Sequence, residues 1–393
     1  MQKQAINLQD KRILVTGSPG FIGANLVMRL AQEMGRRSLD YARDDKEENA
    51  PDDKVENAPD DKGDNVLDAK SGILVSLDNL NDYYDPALKE YRLHQIERVT
   101  EVLPVKHVFV KGSVADQDLV ETLFEQYRFD IVVHLAAQAG VRYSIDHPEE
   151  SLENNLTGFC NILEACRKHP VRHFVFASSS SIYGEDPHIP FSTDDRTDEP
   201  ESLYAATKKC DELLAYAYAK IYGVPATGLR FFTVYGPAGR PDMFYFSAAK
   251  KLAVGEKIRV FNHGKCERDF TYIDDIIEGI FRVIQGAPVA DTRSDGRKTA
   301  PYAIYNIGRG SPVNLIEFLE ILQEELVRAR IVPADTDFDS LREYVGMQPG
   351  DVTVTYADTG PLARDYGYEP RTDVREGMRM FCNWFSKYRT RNP

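Results

Sequence analysis

The sequence predicts an α/β protein, a doubly wound parallel sheet followed by a smaller α/β lobe. Three observations lead there. Short apolar runs alternate with helix-patterned segments through the first 232 residues. A glycine turn joins the first apolar run to the first helix. After about Thr233 the alternation loosens into glycine- and proline-rich turns with scattered helices. Residues 1–232 are therefore expected to form one domain and 233–393 a lobe partly interleaved with it.

In chain order, Arg12–Thr16 (RILVT) is a β-rich run, followed by Gly17-Ser-Pro-Gly20-Phe-Ile-Gly23 and a helical segment, 24–33. Strand, glycine turn and helix in that order make a Rossmann-type dinucleotide site. Glycines at 17, 20 and 23 allow a tight turn and close backbone approach, and the helix N-terminus faces a pyrophosphate. The spacing is GxxGxxG rather than GxGxxG.

An acidic residue is expected at the end of the next strand, about 20 residues on, to bind ribose hydroxyls. Asp78, closing the apolar run GILVSLDNL, comes much later. Between them lies DDKEENAP, DDKVENAP, DDKGDN, an eight-residue unit repeated and then degenerating. Residues 43–65 hold ten acidic and four basic side chains, net −6, and almost nothing apolar. Such a segment buries too little surface to offset its ordering entropy. It reads as a disordered insertion, 43–70, without which the expected spacing is restored.

Further strands are expected at 107–110, 131–135, 174–177 and 227–232, with helices at 117–127, 151–168 and 204–222. Ala136-Ala-Gln-Ala-Gly140 follows one strand end, small residues that let backbone lie against a cofactor. A serine run, Ser178–Ser181, follows another. Tyr204 and Lys208 are four apart, on one helical face. A phenol beside a fixed ammonium makes a base, because the cation favours the phenolate. The same pair is also common on ordinary amphipathic helices, so the surrounding motifs must decide.

Composition narrows the classes. A net charge of −14 and an isoelectric point near 5.2 argue against nucleic-acid binding. No run approaches 18 apolar residues, so no membrane span or export signal is expected. Five cysteines without a CxxC indicate thiols in a reducing compartment, with no metal site. A cytoplasmic protein is expected.

Taken together, GxxGxxG, HLAAQAG, SSSSIYGE and YxxxK occur in the order of the extended short-chain dehydrogenases/reductases. The runs LDNLNDYYD, HLAAQAGVRYS, LYAATKK, LRFFTVYGPAGRPDM, RDFTYIDDI, YNIG and MQPGDV resemble NAD-dependent nucleotide-sugar 4-epimerases, above all the UDP-glucuronate 4-epimerases. They span nearly the whole chain outside the acidic insert. The resemblance implies a tightly held NAD regenerated in each turnover, a UDP-sugar substrate and a homodimer formed through a four-helix interface. The implied reaction is oxidation at sugar C4, turning of the 4-keto sugar and re-reduction.

It also implies residue roles. Tyr204 would act as base, Lys208 would lower its affinity for the proton and bond the nicotinamide ribose, and Ser179 would bond the reacting oxygen. Phe21 and Ile22 would lie on the pyrophosphate, Asp78, Asn79 and Asn81 around the adenosine ribose, and Leu135, Ala136, Ala137, Gln138 and Asn155 beside the nicotinamide. Arg240 and Arg268 would pair with the UDP diphosphate, and Asp351 would help bind the nucleotide. Ser180, Ser181 and Thr233 are expected to bind a C6 carboxylate. Oxidising C4 of a uronic acid creates a β-keto acid, which loses carbon dioxide unless its carboxylate is held.

One departure from the pattern is Ser113, where relatives usually carry aspartate beside the adenine. Related 4,6-dehydratases and decarboxylases place an acidic residue directly after the catalytic hydroxyl. Here that position is Ser180, which favours epimerisation. A neutral-sugar 4-epimerase and a non-catalytic NAD-binding sensor are the other readings. Loss of the tyrosine or the lysine would mark the sensor, and both are present.

Overall fold

The computed structural model describes residues 2–48, 72–185, 188–292, 296–347 and 351–391, with side chains in the first span described to Gly35. Seven strands form one wholly parallel sheet: β1 (Arg12–Thr16), β2 (Ile73–Asp78), β3 (Lys106–Lys111), β4 (Ile131–His134), β5 (His173–Ser179), β6 (Ala226–Phe231) and β9 (Tyr302–Ile307). Two short strands, β7 (Thr233–Tyr235) and β8 (Phe270–Tyr272), pair parallel beside it. The sheet order is β9-β6-β5-β4-β1-β2-β3. The chain therefore winds outward from β1, returns, and winds out the other way from β4. Ligands of such sheets bind outside the strand ends at that reversal.

Strand periodicity explains why both faces are covered. Ile13 and Val15 enter one buried cluster with Leu26, Val27 and Leu30 of α1 (Phe21–Glu48), while Leu14 enters the other. The first face is completed by α2 (Pro86–Thr100) and α6 (Ile273–Ile284). The second is covered by α3 (Gln117–Tyr127), α4 (Gly158–Lys168) and α5 (Leu203–Tyr222), which pack on Val132, Phe174 and Phe176. Near-continuous apolar strands follow from burial on two sides.

Several expectations are corrected. Helix α1 runs through Glu48, well past the expected end at 33 and into the acidic repeat. No proline or further glycine follows Gly35 until Pro51, so nothing in the sequence stops the helix there. The rest of the repeat lies outside the described residues. The expected single helix 151–168 is broken by a π turn, Glu153–Thr157, before α4. Helix α2 and strand β9 were not anticipated. β9 comes from beyond residue 233 yet closes the main sheet against β6, pairing Tyr305 with Leu229.

Candidate active site

A cavity of about 470 Å³ opens along the carboxyl ends of the strands. At its centre β1 runs into the glycine turn. Gly17 has φ +71°, and its N–H donates to Leu77 O at 2.8 Å. A Cβ there would lie 2.8 Å from Ala136 N, and one at Gly23 would lie 2.2 Å from Gly17 O. Only glycine fits either place. Phe21 starts α1, so the helix N-terminus meets the cavity beside Gly17, Gly20, Phe21, Ile22 and Gly23, all of which line it.

Asp78 ends β2 at the same rim and accepts from Leu80 N at 2.7 Å. Burial pushes its carboxyl up, with Lys89 and Arg92 partly opposing. Asn79 Oδ1 accepts from Asn81 N at 3.0 Å, and Asn81 Nδ2 donates to Gln138 Oε1 at 3.1 Å. Lys89 Nζ donates to Asn81 O at 2.8 Å. Thr16 Oγ1 accepts from Ala136 N at 3.1 Å and is hydrogen-bonded to His134 Nδ1 at 2.9 Å. That ring is held neutral, since burial first and the Lys208 charge second pull it down to about 3.

Leu135, Ala136, Ala137 and Gln138 form the next stretch of wall. Asn155 does not line the cavity. It stands behind Gln138, accepting from its N–H at 2.8 Å, donating to its carbonyl at 3.2 Å and to Thr207 Oγ1 at 3.1 Å. The π turn carries Asn155 to this place, as such bulges do at working sites.

The serine turn and α5 carry the groups expected to react. Ser202 caps α5 by accepting from Ala205 N at 3.1 Å, which starts the helix at Leu203, one residue before Tyr204. Tyr204 is half-buried, and its N–H donates to Ser144 Oγ at 3.1 Å. Lys208 is 2% exposed, donating to Asp211 Oδ2 at 3.0 Å and to Ala177 O at 3.2 Å. Ser179 Oγ accepts from Ser181 N at 3.2 Å and from Ser181 Oγ at 3.0 Å, so its own proton is free to be donated into the cavity. Ser178 donates to Glu212 at 2.6 Å beneath the turn.

At the far wall stand Ser180, Ser181, Thr233, Arg240, Arg268 and Asp351. Arg240 Nε donates to Asp242 Oδ1 at 3.0 Å, with Tyr83 donating to the same carboxylate at 3.1 Å. Arg268 Nη1 donates to the Glu267 and Thr353 carbonyls at 3.0 and 3.1 Å. Asp351 accepts from Arg142 Nη2 at 3.1 Å.

Every named site residue except Asn155 thus borders one cavity. Sequence reasoning missed Tyr83, Lys89, Arg142, Asp211 and Asp242, and also Glu201, a carboxylate on the wall near Gly184. The K-x-x-D spacing was a usable signal for Asp211. Nothing local marked the others. Among the described residues no His/Cys/Asp/Glu group is placed to hold a metal ion, and no helix is long and apolar enough to cross a membrane.

The residues fit a dinucleotide. A backbone cradle that a Cβ would fill, a helix N-terminus and a carboxylate at the second strand end are what adenosine, pyrophosphate and ribose require.

The comparisons agree. The NAD dependent epimerase/dehydratase family matches residues 13–308. UDP-glucuronate 4-epimerase 4 of Arabidopsis thaliana is 42% identical over 323 residues, 80% of this chain and 70% of that protein. Protein CapI of Staphylococcus aureus is 38% identical over 384 residues, 96% of this chain and 99% of that protein. Among solved structures, UDP-glucuronic acid 4-epimerase from Bacillus cereus, in complex with UDP-glucuronic acid and NAD, superposes with a TM-score of 0.72. It is 25% identical, covering 96% of this chain and 99% of that one. The Arabidopsis and Bacillus cereus proteins are both named for epimerisation, the work of an isomerase. A parallel sheet, a dinucleotide cradle and a tyrosine–lysine pair at one cavity, with these relatives, make the chain a member of the NAD dependent epimerase/dehydratase family.

Proposed function

We propose that this protein is a UDP-glucuronate 4-epimerase, interconverting UDP-glucuronate and UDP-galacturonate. The observation that carries the reading is the wall of short hydroxyls, Ser179, Ser180, Ser181 and Thr233, facing the same cavity as Tyr204 and Lys208. The two named relatives that act on UDP-glucuronate support it.

NAD, when bound, supplies reversible oxidation at sugar C4. Tyr204 as phenolate takes the 4-hydroxyl proton and later returns it. Lys208 keeps a positive charge beside that oxygen, and Ser179 donates its free proton to the reacting oxygen. Ser180, Ser181 and Thr233 bond the C6 carboxylate, so that the C5–C6 bond stays out of line with the ketone π system. Each such bond to a charged group is worth about 1.5–3 kcal/mol. Ser181 now donates to Ser179, so its hydroxyl turns when the carboxylate enters. Arg240 and Arg268 pair with the diphosphate, and Asp351 with the ribose.

Glu201 supports a second reading, loss of the carboxylate, because it brings an acidic group to the same wall. Proton NMR of purified protein with UDP-glucuronate, no NAD added, separates the two. UDP-galacturonate with all carbon retained is expected. Carbon dioxide and a UDP-pentose would overturn the epimerase reading, and turnover only after adding NAD would overturn tight cofactor binding.

We also infer a cytoplasmic homodimer joined through α4 and α5. Leu213 and Tyr216 of α5 are 59% and 47% exposed, apolar surface that a second copy would cover. Light scattering after gel filtration tests it, with twice the chain mass expected and a monomer contradicting it.

A further inference from the structure

Lys208 and Asp211 lie one helical turn apart on α5, facing inward. Their side chains are 2% and 0% exposed and meet at 3.0 Å. The second lysine partner is the Ala177 carbonyl on β5, 3.2 Å away. Two of the three ammonium donors are thus fixed from behind, and the third is left to point at the cavity, which Lys208 lines. Asp211 does not line the cavity; among the described residues its hydrogen bond to the site is the one to Lys208.

We propose that Asp211 is a positioning residue, the buried counter-ion that keeps Lys208 charged and aimed at Tyr204. The proposal rests on the reading of Tyr204 and Lys208 as the reactive pair. Desolvation alone would drive a buried amine toward its neutral form, and a neutral amine gives a phenolate no support. Burial does pull Lys208 down, but Asp211 and the Tyr204 oxygen outweigh it, and the amine stands above its ordinary value.

Among the described residues, Asp211 is the one carboxylate paired with the amine. On α5 the next carboxylate, Glu212, is paired with Arg230 of β6 and accepts from Ser178 of β5. From β4, His134 is neutral. From α4, Cys160 is pushed toward its thiol form by burial and by the Asp211 charge. Asn155 and Thr207, bonded to each other, are uncharged. Tyr204 shares the helix, and Arg240 stands across the cavity, paired with Asp242. Asp211 is itself strained in charge: burial pushes its carboxyl up to about 6, and Oδ1 has no partner among the described residues. A buried carboxylate kept at that cost, one oxygen idle and the other on the lysine, is explained by what it does for the lysine.

The test uses the full-length enzyme as purified, with Asp211→Asn, Asp211→Ser and Asp211→Glu. Competitive acetylation by acetic anhydride across pH, with the Lys208 peptide read by mass spectrometry, reports the amine's own titration. In Asp211→Asn the onset of Lys208 labelling is expected to move down by about one pH unit or more. Asp211→Glu restores much of the shift, and the alkaline limb of the kcat/KM profile moves with the labelling while KM changes little. Should the asparagine variant fail to fold, the serine variant removes the charge in less volume and carries the same expectation. An unmoved labelling curve in a folded, charge-free variant overturns the proposal even if turnover falls. If the wild type turns over no UDP-uronate, the functional reading fails, and the labelling curves still decide the role of Asp211.

Discussion

Glu212 and Arg230 form a two-pronged ion pair beneath the serine turn, 2.9 Å at Nε and 2.9 Å at Nη2, with 6% and 4% of each side chain exposed. The guanidinium also donates to Tyr183 at 2.8 Å, and Tyr183 donates to Asn306 of β9 at 2.7 Å. Helix α5, the serine turn and the strands β6 and β9 are thereby tied together under Ser179. Breaking one partner of a buried pair leaves the other charge uncompensated. Arg230→Met is expected to cost about 3–5 kcal/mol of stability, read by denaturant unfolding. A loss under about 1 kcal/mol would show that the pair adds nothing beyond a surface bridge.

Arg92 makes a second tie. Its guanidinium, 2% exposed, donates to Pro19 O at 3.1 Å in the glycine turn and to Ala238 and Gly239 carbonyls, both at 2.9 Å, in the loop before Arg240. It thus fixes the expected diphosphate arginine relative to the dinucleotide cradle. Arg92→Met is expected to lower kcat/KM about ten- to a hundredfold, with Tyr204→Phe as the comparison. Unchanged kcat/KM in a folded Arg92→Met variant would disconnect the two loops.

Tyr204→Phe removes the proposed base while leaving the cavity wall intact. Turnover should fall about 10²–10⁴-fold, and thermal stabilisation by UDP should persist. Retained turnover would send the search for a base elsewhere on the wall, to Glu201 first.

His173 gives a pH signature of folding. Its ring lies between Thr227 Oγ1, at 2.9 Å, and the Ile284 carbonyl, and burial pulls it from 6.5 to about 4 despite that carbonyl. Protons therefore bind the unfolded chain first as pH falls. The stability this neutral ring contributes is complete above about 6.5 and drains away toward about 4. The stability advantage of wild type over His173→Gln should shrink across that window. An advantage constant with pH would mean that the ring titrates in the folded protein as it does in the unfolded chain.

The parts of the site legible in the sequence share one property: local geometry forces the residue type. Gly17 needs a positive φ, Asp78 ends a strand, and Tyr204 and Lys208 share a helical face. Strand β1 and helix α3 fall where the alternation of apolar runs and helical segments puts them, and in the fold Asp116 caps α3 by accepting from Leu119 N. What was hidden depends on contacts distant in sequence. Arg92 reaches Gly239 across 147 positions, Tyr83 reaches Asp242 across 159, and β9 joins β6 from beyond the lobe boundary. Asn155 was assigned to the nicotinamide side, but the π turn that places it behind Gln138 has no sequence mark.

The proposed substrate is a carboxylate-bearing sugar. Equimolar UDP-glucuronate and UDP-glucose, offered together in one tube and followed by proton NMR, test it without reference to absolute rates. UDP-glucuronate is expected to be converted to its 4-epimer while UDP-glucose stays untouched over the same time. Equal consumption, or epimerisation of UDP-glucose alone, would contradict it and leave the hydroxyl wall without a carboxylate to hold.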